Sequence, residues 1–247
     1  MAGFSWNPEI LFFVIAVVWT SLGFASYFFL SRNTSLSQKI WSSHPSLDAQ
    51  AREIIIQRIW GFLFMGVVPV LFIVLWPGQT LTEYGLSFTF LSRPPWWMLA
   101  VIAFIILAGA FAAAKPANLE MYPQIRCKQW TPGMVTISSI TWLVFLLGYE
   151  FLFRGFLLFA SLELMDVWAA IALNCALYVF AHLYKGPAET IGTLPFGILF
   201  CYLTLLTGNI WSALLIHSIM ALSNEWWSLR KQADMQVVWK KSKLEID

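Results

Sequence analysis

The sequence predicts an all-α fold, a polytopic transmembrane helix bundle of about seven spans, and three observations predict it. First, the 247 residues are 59% hydrophobic and only 11% charged, against about 25% charged in an ordinary soluble domain. A soluble core cannot hide that much apolar surface. Second, the apolar residues come in runs near the length a hydrocarbon core requires, about 20 helical residues. Third, the basic residues fall on alternate connections between those runs.

The runs place spans near residues 10–30, 58–76, 97–114, 136–159, 167–184, 190–206 and 210–226. The first has no Lys or Arg before Arg32 and is too long for a signal-peptide core, so it reads as a retained span. Residues 46–57, rich in Ala, Gln, Arg and Glu before Ile54, read as a polar-faced surface helix leading into the second span. Pro77-Gly78 and Pro94-Pro95 bracket a loop before the third. The fourth run extends from Pro132 to Leu164, so part of that helix is expected to protrude or tilt; the sixth is short. Trp60, Trp76, Trp96, Trp97, Trp168, Trp211, Trp226 and Trp227 fall near span ends, where amphipathic rings favour the headgroup layer. One integral membrane domain accounts for residues 1–247: N-terminal spans and loops over 1–133, a core over 134–227 built from the last four spans, and a charged, solvated tail over 228–247.

Arg32, Lys39, Arg52 and Arg58 lie on or beside the first connection, Lys115, Arg126 and Lys128 on the third, and Lys185 on the fifth. Arg230, Lys231, Lys240, Lys241 and Lys243 lie in the tail, making thirteen of the fifteen basic residues on one side. Arg93 falls on the other side and Arg154 inside a span. The positive-inside rule then sets the N-terminus outside and the C-terminus in the cytoplasm, with a bacterial inner membrane as the expected setting. A net charge of +2 with no basic-aromatic stripe argues against a nucleic-acid partner. Cys127, Cys175 and Cys201 form no CxxC pair, so neither a disulfide framework nor a zinc knuckle is indicated, and Cys175 and Cys201 read as small apolar fillers.

Four strongly ionisable residues fall deep in the expected spans: Glu150, Arg154, His182 and His217. Glu150 and Arg154 stand four apart, on one helical face. Charges at membrane depth are costly and face a protein interior or wet cavity, which makes the pair a candidate site. Glu150 lies 16 residues before the break at Asp166 and His182 lies 16 after it. At 1.5 Å per residue both are about 24 Å from the turn, at matched depth on antiparallel helices. His217 lies about 12 Å from the Gly208-Asn209 turn by the same rise. His44, in a connection, needs no special role.

A carboxylate and an imidazole converging in a low-dielectric pocket suit hydrolysis. Glu150 would take a proton from water, and His182 would hold that water or pass the proton to a leaving amine. His217 would donate to the oxyanion. Arg154 would keep Glu150 ionised, since a neighbouring cation favours the charged form. Structural roles are the alternative for each: a Glu–Arg pair can simply tie a helix, and a membrane histidine can bond a carbonyl. One Glu and two His also make a plausible zinc set with an open position, but no HExxH demands a metal, so no cofactor is expected and zinc ranks below metal-free catalysis.

Glu150-Phe-Leu-Phe-Arg154-Gly155, then Tyr178-Val-Phe-Ala-His182, then Thr207-Gly-Asn-Ile-Trp211 leading to His217, resemble the ordered motifs of the CPBP family. That family comprises CAAX-prenyl endopeptidase and bacteriocin-processing intramembrane proteases, also described as abortive-infection proteins. The resemblance covers about residues 136–227. It implies a helical fold, a membrane-associated protein or peptide substrate, and a glutamate-activated water assisted by the first histidine, with the second shaping the oxyanion site. Two departures accompany it. The family pattern begins Glu-Glu, but the first position here is Tyr149, and a phenol with a pKa of about 10 is a poor base at neutral pH; Glu150 must then take the base role. The family's last motif has an Asn four residues after its histidine, where this chain has Ala221; Asn224 stands seven on, about two turns away on the same face. Lys185-Gly-Pro-Ala-Glu189 resembles a segment of some bacterial members, making Glu189 a possible polar neighbour of His182, with a helix-start carboxylate as the plainer reading. The expected function is intramembrane endopeptidase; a pseudoprotease kept as membrane regulator or immunity protein is the main rival, and a transporter using Glu150 as a proton site is a more distant one.

Overall fold

Helix follows helix through the computed structural model, which describes residues 7–32, 49–87 and 94–239. Helices occur at all seven expected places. They are α1 (Pro8–Ser31), α2 (Ala49–Leu75), α3 (Met98–Ala112), a short α4 (Pro116–Met121), α5 (Pro132–Leu162), α6 (Val167–Phe180), α7 (Pro187–Thr207) and α8 (Trp211–Lys231). By length and composition α1, α2, α5 and α7 can each cross a membrane, and α3 and α6 are shorter apolar helices. His44, Lys39, Arg93, Lys240, Lys241 and Lys243 lie outside the described residues, as do positions 46–48 of the expected surface helix. The rest of that helix is continuous with the second span.

Local chemistry explains the main boundaries. Asp166, where the sequence predicts the break, accepts hydrogen bonds from the backbone N–H groups of Trp168 (2.9 Å) and Ala169 (3.2 Å), and so starts α6. The long fourth run is one 31-residue helix, as expected. Two turns widen to π geometry. In α2 this happens at Leu63–Val67, just before Pro69, whose ring has no N–H to give and crowds the preceding turn. In α5 it happens at Phe151–Leu157, the stretch that carries Arg154.

Residue contacts divide the chain into two units. One comprises Met1–Leu30, Trp60–Pro94 and Leu146–Leu215. Here α2 and α5 meet backbone to backbone. A Cβ on Gly66 would stand 3.0 Å from Gly148 Cα, and one on Gly148 would stand 3.0 Å from Phe62 Cα, so only glycines allow the approach. Phe12, Tyr84, Phe151, Phe153, Phe156 and Phe200 are among its fully buried side chains. The loop after α2 closes one end through Tyr84, whose hydroxyl donates to Glu163 at 2.9 Å. Burial and that neighbouring carboxylate raise the phenol's pKa.

The other unit comprises Ser31–Ile59, Pro95–Phe145 and Ile216–Asp247. Ala51, Ile125, Cys127, Trp130, Met134 and Leu229 form its apolar cluster. It corrects the sequence on two points. The segment after Trp227 is not simply solvated: α8 runs on to Lys231, Ser228 and Leu229 are buried, and Gln236–Val237 pairs in parallel with Gln129–Trp130. Two-residue strands are too short to show an alternating pattern. The unit also buries a further charge pair, Arg58 with Glu225, at 3% and 1% exposure. The sequence puts both at span ends, where a charge normally reaches water.

Candidate functional site

Glu150 closes the regular part of α5, and the π turn begins at the next residue. An extra residue in the turn re-aims side chains and frees backbone groups, and such bulges are frequent at functional sites. Asn174 of α6 answers one of those groups, its amide donating to the Phe153 carbonyl at 2.5 Å, while its own carbonyl accepts from the Cys201 thiol at 3.3 Å. Cys201 therefore does more than fill space.

Arg154 is fully buried. Its Nε lies 3.6 Å from Glu150 Oε2, its guanidinium sits 4.0 Å from the centre of the Tyr178 ring, and Nη2 donates to the Gly197 carbonyl at 3.5 Å. Phe200 and Phe153 supply two further ring faces, at 5.4 and 5.7 Å. The expected Glu150–Arg154 pair is thus present, with both side chains at 0% exposure, in an aromatic enclosure. A buried charge pair is favourable only with good geometry and supporting bonds; here, among the described residues, Arg154 Nε and Nη1 make no hydrogen bond, and ring faces take the place of such bonds around the guanidinium.

The expected span 167–184 contains His182, but the helix stops short of it: α6 ends at Phe180, Ala181 caps it, and His182 opens the 3₁₀ turn Leu183–Lys185. His182 meets α5 at the residue before Glu150: Tyr149 Oη stands 3.3 Å from His182 Nδ1. The same nitrogen is 2.9 Å from the Tyr178 carbonyl. A carbonyl has no proton to give, so Nδ1 carries the hydrogen, and the neutral ring then presents Nε2 as its acceptor. That tautomer is the one a proton-accepting histidine needs. Thr190, not singled out by the sequence, donates through Oγ1 to the His182 carbonyl (3.1 Å) and to that of Gly186 (2.8 Å), holding the turn.

Three of the sequence's candidates remain. Glu189 lies in the first turn of α7 and pairs with Lys185 at 3.4 Å, part-exposed, which is the plainer of its two readings. His217 is buried, at 8% exposure, on the part of α8 that belongs to the second unit, and Asn224 is half-buried two turns further along. Among the described residues, no three His, Cys, Asp or Glu side chains group as a metal site.

In chemical terms the first unit brings together a carboxylate with its cation, a phenol, and an imidazole with a defined acceptor nitrogen. Residues 130–223 match the family described as Rce1-like, type II CAAX prenyl endopeptidase Rce1-like. No curated protein and no solved structure gives a match.

Proposed function

Because residues 130–223 match the model of the Rce1-like family of type II CAAX prenyl endopeptidases, and the chain carries helices long and apolar enough to cross a membrane, we propose that it is an integral membrane endopeptidase. Its substrate is a membrane-associated or exported protein or peptide, and the setting is a bacterial inner membrane with the N-terminus outside. The observation that carries this reading is the 3.3 Å approach of Tyr149 to His182, one residue from the Glu150–Arg154 pair. It brings the turn of α5 that carries Glu150 against His182, and the reading builds on that nearness by having the carboxylate and the imidazole act on one water.

In this reading Glu150 takes a proton from water and the resulting hydroxide attacks the scissile carbonyl. Arg154, 3.6 Å away, supplies the opposite charge beside Glu150. The proton travels to the leaving amine, with His182 Nε2 orienting the water and relaying the proton. His217 shapes the oxyanion site; this role rests on the family motif. No metal takes part, and cleavage is expected to survive a chelator in protein shown metal-free by elemental analysis.

One observation favours the second reading, a pseudoprotease. The residue in contact with His182 is a phenol, where the family pattern has its first glutamate, and a phenol cannot serve as base at neutral pH. Purified protein in proteoliposomes, incubated with a panel of prenylated and unmodified membrane-anchored peptides and read by mass spectrometry, separates the two. The enzyme reading expects new peptide termini that vanish in His182→Ala. Equal products from both proteins, or none from either, overturn it.

A further inference from the structure

The second unit holds a charged network that the hydrolytic reading leaves unused. Arg58, on the first half of α2, donates through Nη1 to the Ser138 carbonyl (2.8 Å), to Ser138 Oγ (3.1 Å) and to Thr141 Oγ1 (3.1 Å), and through Nη2 to Gln124 Oε1 (3.1 Å). Nη2 also lies 3.5 Å from Glu225 Oε1. Its guanidinium covers the Trp142 ring at 4.4 Å. Glu225 accepts further bonds from the Gln124 backbone N–H (3.2 Å) and from Ser138 Oγ (3.5 Å). Three separate stretches of chain, α2, the loop at Gln124 and α5, thus converge on one buried carboxylate of α8.

A site this well connected could serve stability alone, yet a buried ion pair gives little net stability over a well-packed apolar one. What it gives reliably is direction: five donors in a fixed fork accept only one placement of the carboxylate. Two more ties hold α8 on this side, Ser228 accepting from Asn118 Nδ2 at 2.8 Å and Gln232 donating to the carbonyls of Leu119 (2.7 Å) and Tyr122 (3.1 Å). Of the three anchors, Glu225 stands nearest to His217, about 12 Å along the helix.

We propose that the Arg58–Glu225 network is a positioning device for His217. It fixes the rotation of α8 and thereby the bearing of the imidazole. The proposal rests on the reading that gives His217 a part in peptide hydrolysis. A side chain reaches about 5–6 Å from the helix axis, so a rotation of about 10° carries the ring by about 1 Å. Misplacement on that scale costs an enzyme about 10²-fold in rate.

The test compares Glu225→Gln, Arg58→Lys and the reversed pair Arg58→Glu/Glu225→Arg with the full-length wild type in detergent. Monodispersity and thermal midpoint report the fold. Steady-state cleavage of a peptide processed by the wild type, and ring resonances of isotopically labelled histidine, report the site; only three histidines need assigning. Glu225→Gln is expected to lower kcat about 10²-fold while KM changes by less than about twofold, since the lost interaction acts on the transition state. The His217 resonances are expected to move with those of His182 unchanged, and the reversed pair to recover most of kcat. Unchanged kcat together with unmoved His217 resonances overturns the proposal, as does a loss matching only the unfolded fraction. If Glu225→Gln does not fold, Ser138→Ala removes the bridging hydroxyl, keeps both charges, and is read the same way. If the wild type cleaves nothing, the endopeptidase reading fails. The histidine resonances then decide this proposal alone: movement in Glu225→Gln sustains it and none overturns it.

Discussion

Arg154→Met tests how the buried pair on α5 is held. Both members are at 0% exposure and 3.6 Å apart, and the guanidinium also lies 4.0 Å from the Tyr178 ring centre. Methionine keeps much of the length but leaves the Glu150 carboxylate without its cation. Stranding one partner of a buried pair costs about 3–5 kcal/mol, of which loss of the ring contact accounts for about 2 kcal/mol. Glu150→Gln strands the cation instead and is expected to cost a similar amount. The double variant strands neither charge, so its loss should fall well below the sum of the two, because removing both members of a pair together is often close to neutral. Reversible unfolding in mixed micelles, followed by tryptophan fluorescence across all four proteins, measures the cycle. A coupling of at least about 2 kcal/mol is expected. Single variants that each cost under about 1 kcal/mol and add in the double would refute the reasoning, because an exposed pair behaves that way.

Four further outcomes follow from the same geometry. Gly155→Ala should lower thermal stability by about 1–3 kcal/mol or more, since its Cβ would stand 2.5 Å from the Phe151 ring and 2.9 Å from the Tyr84 carbonyl oxygen; an unchanged melting midpoint would contradict the packing. Asn174→Leu removes the bond to the Phe153 carbonyl and should cost about 1–2 kcal/mol, the upper part of the range for an interhelical bond in a membrane protein. The check is the same micelle titration. Tyr149→Phe keeps the ring but removes the hydroxyl near His182 Nδ1, so a change of about 1 kcal/mol or less is expected. Tyr149→Glu restores the family's first glutamate. If the phenol impairs the native chain, its cleavage rate should rise; an unchanged rate would remove Tyr149 as the limiting feature.

Much of this arrangement is legible in the sequence because it is local or periodic. The apolar run from Pro132 gives the length of α5, the polar break at Asp166 gives its end and the cap of α6, and equal counts either side of that residue put positions 150 and 182 at similar depth, one residue from the pair that makes contact, Tyr149 and His182. The i,i+4 spacing pairs Glu150 with Arg154 even across a widened turn. Three features escape because nothing local encodes them. Arg58 and Glu225 lie 167 residues apart and each sits at a span end, so only tertiary packing makes them a pair. The widened turn at Phe151–Leu157 depends on what packs against it, including the close contact at Gly155. Tyr149 reads as a departure from a motif, while its nearness to His182 depends on how α6 ends.

The most direct test of the central claim is the cleavage rate of Glu150→Gln against wild type, on a peptide the wild-type protein processes. A general base accounts for about 10²–10⁴-fold, so a rate lower by at least about 10²-fold, in protein that retains its fold, is the expected result. A variant that cleaves as fast as the wild type would contradict the assignment of Glu150 as the group that activates water.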